Sequence, residues 1–309
     1  MMSAVGGART RRVVGVSLGS SRRDHQATLV LDGVQVSIQR RGTDGDLERA
    51  RECLTELDGQ VDAIGLGGID RWLVVDGARY TVRDAQWLVA NVKTTPVVDG
   101  RGLKECFEPR VIRDLLAQGQ IDPSQRVLMV SALDRFGMAE SFYALGFPTV
   151  AGDLIFGVGL DMPILSRREL VDLARRLLPQ VVNRPFTELY PVGEAQNRDP
   201  DPRYERYFDE AEIIAGDFHL IRKYLPPTLA GKVVVTNTTT ADDVEQLRRR
   251  GVRLLVTTTP VLEGRSFGTN VVEAAVVAVT GITPEDSRWQ PTVDGLKIEF
   301  GQLNLNPVQ

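Results

Sequence analysis

Lysine is scarce in this chain. Only five of its 37 basic residues are lysines, Lys93, Lys104, Lys223, Lys232 and Lys297, so arginine carries most of the positive charge and a lysine in a turn stands out. Two histidines and two cysteines, Cys53 and Cys106, offer no metal-ligand spacing and no disulfide framework. No metal is therefore expected, and the two thiols read as free in a reducing compartment. No apolar run approaches the roughly 18 residues of a membrane span, and Met1 to Arg12 lacks the apolar segment of a secretion signal. The expected location is the cytoplasm. A formal charge of −4 leaves no broad basic surface for phosphates, which argues against nucleic-acid binding.

What is present is a chain of 309 residues, 42% hydrophobic, long enough for two domains. Val13 to Leu18 and Ala27 to Leu31 read as strands, and Val34 to Gln39 alternates as a half-buried strand does, with Asp32-Gly33 as a hairpin turn. From Asp46 the period changes to that of a helix, with Leu47, Ala50, Leu54 and Leu57 on one face. A strand at Val61 to Leu66, a hairpin about Asp76-Gly77, a helix from Asp84 to Val92 and a strand at Pro96 to Val98 complete a mixed first domain.

The second half repeats strand, loop and helix. Strands are expected at Arg126 to Val130, Thr149 to Gly152, Glu212 to Ala215, Lys232 to Thr236 and Leu254 to Thr257. Helices follow to Leu145, over Arg167 to Leu178 with Pro179 ending it, over Ala241 to Arg250 and over Asn270 to Thr280. The fold class this predicts is α/β, a mixed-sheet N-terminal domain followed by a Rossmann-like doubly wound parallel sheet. The expected boundaries are a tail at 1–11, a substrate-side domain at 12–124, the Rossmann-like domain at 125–281 and an extension at 282–309 with a strand at Leu296 to Phe300. Residues 183–210, rich in proline, charge and aromatics (Phe186, Tyr190, Tyr204, Tyr207, Phe208), read as an irregular arm. Packed across the domain boundary or on a second subunit, it would make a homodimer.

Ligands of open α/β sheets sit outside the carboxyl ends of the strands. Those ends present Ser131, Asp134 and Arg135; Asp153; Asp217 and His219; Asn237 and Thr238; and Thr257 to Thr259. Glu263 to Asn270 reads as a glycine-containing loop entering a helix, where Arg265, Ser266 and Thr269 would meet an anion. Asp217 and His219 suggest a proton acceptor. In the first domain Asp44 and Asp70 follow strands, and Lys104 lies in a glycine-rich stretch from Asp99, where pairing with either carboxylate would make an acid/base couple. The bland readings are helix caps for the short polar residues and a surface position for His25. There is no Walker loop and no nucleophile elbow.

The segments Val13 to Ser21, Gly42 to Asp46 and Val130 to Glu140 resemble bacterial proteins labelled quinate 5-dehydrogenase, over about Val13 to Gly281. Those proteins stand near the shikimate/quinate dehydrogenases, which oxidise a ring hydroxyl with NAD or NADP and a Lys/Asp dyad. The resemblance implies an NAD(P)-dependent oxidoreductase for a hydroxylated cyclic carboxylic acid. It also implies that Ser17 and Ser20 hold the substrate carboxylate; Asp44 and Asp70, read from their places after strands, are expected beside them. Cofactor would fall to Ser131, Asp134, Gly137, Asn237, Thr238, Arg265, Ser266 and Thr269, and chemistry to Lys104, with Lys93 its competitor, or to the Asp217/His219 pair. The first nucleotide turn reads Ser131-Ala-Leu-Asp-Arg-Phe-Gly137, and only Gly137, with Ala139 just beyond it, suits a diphosphate. Two other classes stand beside this one. One is an acyl- or phosphotransferase with a ribonuclease-H-like first domain, whose expected Asp-x-Gly reads Ser17-Leu-Gly19; the other is a non-catalytic metabolite-binding protein.

Overall fold

The computed structural model describes residues 10–189 and 202–307. In chain order the elements are β1 (Arg11–Ser17), β2 (Gln26–Leu31), β3 (Val34–Gly42), α1 (Leu47–Leu57), β4 (Ala63–Gly67), β5 (Trp72–Val75), β6 (Ala78–Thr81), α2 (Arg83–Val89), β7 (Val97–Val98) and α3 (Arg101–Ala117). There follow β8 (Val127–Met129), α4 (Phe136–Ala144), β9 (Thr149–Ala151), a π-helical turn (Asp153–Val158), α5 (Arg167–Val181), α6 (Phe186–Leu189), α7 (Glu205–Glu210), β10 (Ile213–Ala215) and α8 (Phe218–Lys223). The last are β11 (Val233–Thr236), α9 (Ala241–Arg249), β12 (Leu254–Thr257), β13 (Val261–Leu262), β14 (Arg265–Ser266), α10 (Thr269–Thr280), α11 (Trp289–Gly295) and β15 (Gly301–Asn304).

The chain is an α/β protein of two compact units. One takes Met1–Asp70, Trp87–Gly100 and Asn270–Ile298; the other takes Arg71–Gln86, Arg101–Thr269 and Glu299–Gln309. The boundary expected at 124 thus falls inside the second unit, and α11 with nearly all of α10 belongs to the first.

The first unit is built on a sheet ordered β2-β3-β1-β4-β7. Its central strand buries Val13, Val14 and Val16, as a strand covered on both faces must. Asp32 and Gly33 both take positive φ, which gives the β2–β3 hairpin a turn matched to strand twist. β1 pairs in parallel with β3 and with β4, while β2 pairs antiparallel with β3 and lies outside it. Strand order therefore departs from chain order, with β3 rather than β2 beside β1. Gly15 and Gly65 face each other across β1 and β4, and a Cβ on either would fall 2.7 Å from α10, from Val271 Cγ2 and the Asn270 carbonyl oxygen respectively. These glycines let the start of α10 seat on the sheet.

In the second unit the sheet runs β15-β12-β11-β10-β8-β9, with β8 through β12 mutually parallel and β15 antiparallel to β12. β8, β10, β11 and β12 are buried at every position, the signature of parallel strands sheathed by helices. Four expectations need correction here. Residues 101–117 form α3, so Lys104 stands on a helix rather than in a glycine-rich loop. α5 runs through Pro179 to Val181. The C-terminal strand lies at Gly301–Asn304 instead of Leu296 to Phe300, where Leu303 registers with Leu255. The described parts of 183–210 include α6, a 3-10 turn at Pro202–Tyr204 and α7, and Tyr204, Tyr207 and Phe208 are buried in the unit's own core with Phe156. Those aromatics are spent on the interior and supply no anchor for an arm at a subunit boundary; Tyr190 lies outside the described residues. Among the described residues no helix is long and apolar enough to cross a membrane.

Candidate functional site

At the carboxyl end of β8 the chain turns through Ser131 to Arg135 before entering α4. Ser131 Oγ accepts the backbone N–H of Asp217, which ties this turn to the end of β10. Arg135 occupies the N-cap position of α4, yet its side chain makes no cap and turns inward, where it is 2% exposed. Its Nη1 donates to Oε1 of Glu108, a residue of α3 with no exposure at all. Thr258, just past β12, donates its hydroxyl to the same oxygen at 3.2 Å. Around this buried pair stand two further carboxylates, with Asp134 Oδ2 at 3.8 Å from Arg135 Nε and Asp217 Oδ2 at 3.8 Å from Nη2. Lys104, one turn before Glu108 on α3, donates Nζ to Asp134 Oδ1 at 2.6 Å. One guanidinium therefore draws carboxylates from α3, the β8 turn and the β10 end into a single cluster.

Burial pushes the Glu108 carboxyl above its usual range, opposed by the Arg135 and Lys104 cations. Burial works against the Arg135 cation, but Glu108, Asp134 and Asp217 more than offset it and hold the guanidinium charged. Asp153, after β9, accepts the backbone N–H groups of Ala132 at 3.1 Å and Leu133 at 2.9 Å. Its burial nonetheless raises it to about 6, with the Asp134 charge adding to the effect.

Of the residues singled out in the sequence, the fold brings together Lys104, Ser131, Asp134, Arg135, Asp153 and Asp217. Lys104 donates to Asp134, a carboxylate of its own unit, whereas Asp44 and Asp70 belong to the first unit. Asp217 caps α8 by accepting the backbone N–H of His219 at 2.8 Å, and His219 is exposed. A Cβ on Gly137 would lie 3.2 Å from Glu105 Cα and 3.3 Å from Pro109 Cγ; its role is the close crossing of α3 and α4. Asn237, Ser266 and Thr269 are buried: Asn237 Nδ2 donates to Thr269 Oγ1 at 3.2 Å, and Thr239 N donates to Ser266 Oγ at 2.7 Å. Thr238 is half-buried in the left-handed region, φ 55°. The segment read as an anion loop is instead the hairpin β13–β14, turning at Glu263-Gly264, with Arg265 half-buried on β14.

In the first unit Ser17 Oγ accepts Gly19 N and Arg40 Nη2, both at 3.1 Å, and Ser20 Oγ accepts Arg22 N at 3.3 Å. Asp44, at φ 55°, accepts Ser21 N at 2.8 Å, and Asp70 follows the Gly67-Gly68 turn. These hydroxyls and the Asp44 carboxylate organise turns. Glu108 escaped the sequence reading. The signal for it was a charged side chain on an apolar helix face, between Phe107 and Val111, visible only once α3 is recognised as a helix.

A dinucleotide would need free N–H groups at the β8 turn. Here those of Ala132 and Leu133 point to Asp153, and Asp134 adds negative charge beside them. The turn does not fit a diphosphate. Among the described residues no group of three His, Cys, Asp or Glu side chains is placed to hold a metal ion.

Residues 12–99 match the family model described as Domain of unknown function (DUF8753), and residues 102–299 that described as Domain of unknown function (DUF8754). No curated protein matches the chain. Among solved structures, GanP, a glucose-galactose binding protein from Geobacillus stearothermophilus, is 10% identical, over 96% of this chain and 98% of that one, at a TM-score of 0.37. A galactofuranose binding protein is 10% identical over 92% and 97%, at 0.35. An NAD-dependent malic enzyme from Thermotoga maritima is 13% identical over 80% and 65%, at 0.32. Likenesses this distant carry no inference about a ligand. The match over residues 102–299 covers more than half of the sequence, and the chain belongs to the family described as Domain of unknown function (DUF8754).

Proposed function

We propose that the second unit binds a small polar metabolite at the strand-end cluster of Lys104, Glu108, Asp134, Arg135 and Asp217, and that binding rather than hydride transfer is its primary task. The observation carrying this reading is the Glu108–Arg135 pair, buried at the carboxyl ends of parallel strands and flanked by the partly exposed Asp134 and Asp217. A buried ion pair adds little net stability over apolar packing, so its placement at the ligand-binding edge of such a sheet points to recognition. Around it, side chains with fixed partners offer acceptors and one ammonium to a ligand rich in hydroxyl or amino groups.

A second reading, an NAD(P)-dependent oxidoreductase for a hydroxylated cyclic acid, is favoured by one contact. Lys104 and Asp134 form a donor–acceptor couple of the kind that reaction needs. The occupied N–H groups of Ala132 and Leu133 weigh against it. A thermal-shift screen of sugars, polyols, amines, quinate, NAD and NADP separates the two. A ligand at about a hundred times its dissociation constant adds ~2.7 kcal/mol. Stabilisation by a hydroxylated or aminated ligand without nicotinamide supports binding; stabilisation by NAD or NADP, lost in Lys104→Met, supports the dehydrogenase and overturns it.

A further inference from the structure

We infer that the ligand of this site presents a cationic hydrogen-bond donor, a primary ammonium above all, to Asp134 and Asp217. This rests on the binding reading above and narrows it to a chemical class. Among the described residues, the four carboxylates of Glu108, Asp134, Asp153 and Asp217 are gathered with the cations Lys104 and Arg135. Both cations already have carboxylate partners within the protein. Protonation of Glu108, which its burial favours, leaves three carboxylates against two cations and does not reverse the excess.

Buried atoms of both kinds go without a hydrogen bond here: the donor Arg135 Nε, which faces Asp134 Oδ2 at 3.8 Å, and two acceptors. Glu108 Oε2 is buried and has no hydrogen-bond partner among the described residues, although Oε1 of the same carboxylate has two. At the neighbouring strand end the buried Asn237 Oδ1 is likewise without a partner. A buried acceptor without a donor is costly, and a ligand that supplies donors relieves that cost. Asp134 and Asp217 keep 27% and 29% of their side-chain surface exposed, so both are within reach from solvent.

An anion finds the opposite conditions, because the N–H groups of Ala132 and Leu133 are already donated to Asp153. A neutral polyol supplies donors but leaves the charge as it was. A cation answers both the charge and the two unpartnered acceptors, and at partly desolvated carboxylates the charge-assisted bonds are the strong ones.

The test is calorimetry on the full chain with putrescine, arginine, myo-inositol and inorganic phosphate as probes. Putrescine or arginine is expected to bind, with affinity falling as sodium chloride is added. Asp134→Asn and Asp217→Asn should each weaken binding by about tenfold or more. Asp286→Asn, in the first unit beside Arg288, should leave it unchanged. Binding of myo-inositol or phosphate with both cations silent overturns the ammonium assignment and leaves the site reading standing. Cation binding that ignores Asp134→Asn and Asp217→Asn marks attraction to an acidic chain and overturns the assignment as well. Silence of all four probes removes both.

Discussion

The carboxylate of Asp153 accepts the backbone N–H of Leu133 at 2.9 Å, and with it the turn between β8 and α4 holds an anion supplied by its own chain. Burial raises Asp153 to about 6, above the ~3.9 of an unfolded aspartate. Between those two values the folded protein keeps a proton that the unfolded chain releases. Asp153's contribution to stability is therefore complete below about pH 4 and is lost as pH rises toward 6, at up to ~1.4 kcal/mol per pH unit. Asp153→Asn removes this slope. Urea unfolding of both proteins at several pH values between about 4 and 7 should show the variant gaining on the parent as pH rises. Parallel curves would refute the assignment.

Gly137→Ala tests the crossing of α3 and α4. The added methyl would stand 3.2 Å from Glu105 Cα and 3.3 Å from Pro109 Cγ, and nearest of all to the Lys104 carbonyl oxygen. Backbone so close has little room to yield. Overpacking of this kind costs roughly 1–3 kcal/mol. Because the displaced segment carries Lys104, the variant should also lose ligand affinity at the Asp134 side. Unchanged unfolding in urea would show that the helices separate freely.

The strands of the second unit were legible because each is a short apolar run closed by a polar residue, and Asp134, Asp217 and Ser131 followed from the rule that sites lie at strand ends. α3 was not legible. Asp99-Gly100-Arg101-Gly102 carries the glycines of a loop, and the helix that follows includes Pro109, so local propensity pointed away from the observed state. Glu108 was hidden by that error. Glu263 to Asn270 failed for a related reason: Glu263 takes positive φ, 52°, a conformation that pattern reading does not assign to glutamate, and the two-stranded hairpin depends on it. The topology of the first unit was out of reach, since β1 pairs with β3 across an intervening hairpin and no local signal reports it.

Glu108 and Arg135 should behave as one unit in a double-mutant cycle. Glu108→Gln leaves a buried guanidinium without its main counter-charge, and Arg135→Met leaves a buried carboxyl; each is expected to cost about 3–5 kcal/mol. The double variant Glu108→Gln/Arg135→Met should cost less than the sum, with a coupling of at least ~1 kcal/mol in chemical denaturation. Additive losses would mean that the two side chains are held independently.

The aromatic cluster behind β8 and β10 gives the last test. Phe156 meets Tyr204, Tyr207, Phe208 and Tyr224 with ring centroids 6.2, 6.5, 5.6 and 5.0 Å away, the first three nearly edge-on. Such geometry sets the positive edge of one ring toward the face of another and adds to simple burial. Phe156 is 3% exposed and comes from the π-helical turn that begins at Asp153, so it fixes the base of the segment that presents that carboxylate. Removing the ring leaves a cavity that four large neighbours are too constrained to fill, and Phe156→Ala is expected to cost about 3–5 kcal/mol. Tyr204→Phe loses only the hydroxyl bond to the Gly159 carbonyl, 2.8 Å, and should cost about 1 kcal/mol. The larger change should also weaken the near-ultraviolet circular dichroism of the tyrosines, while the smaller one leaves the remaining rings as they are. If Phe156→Ala cost no more than Tyr204→Phe, the rings would be surface decoration and the described part of residues 183–210 would not be core.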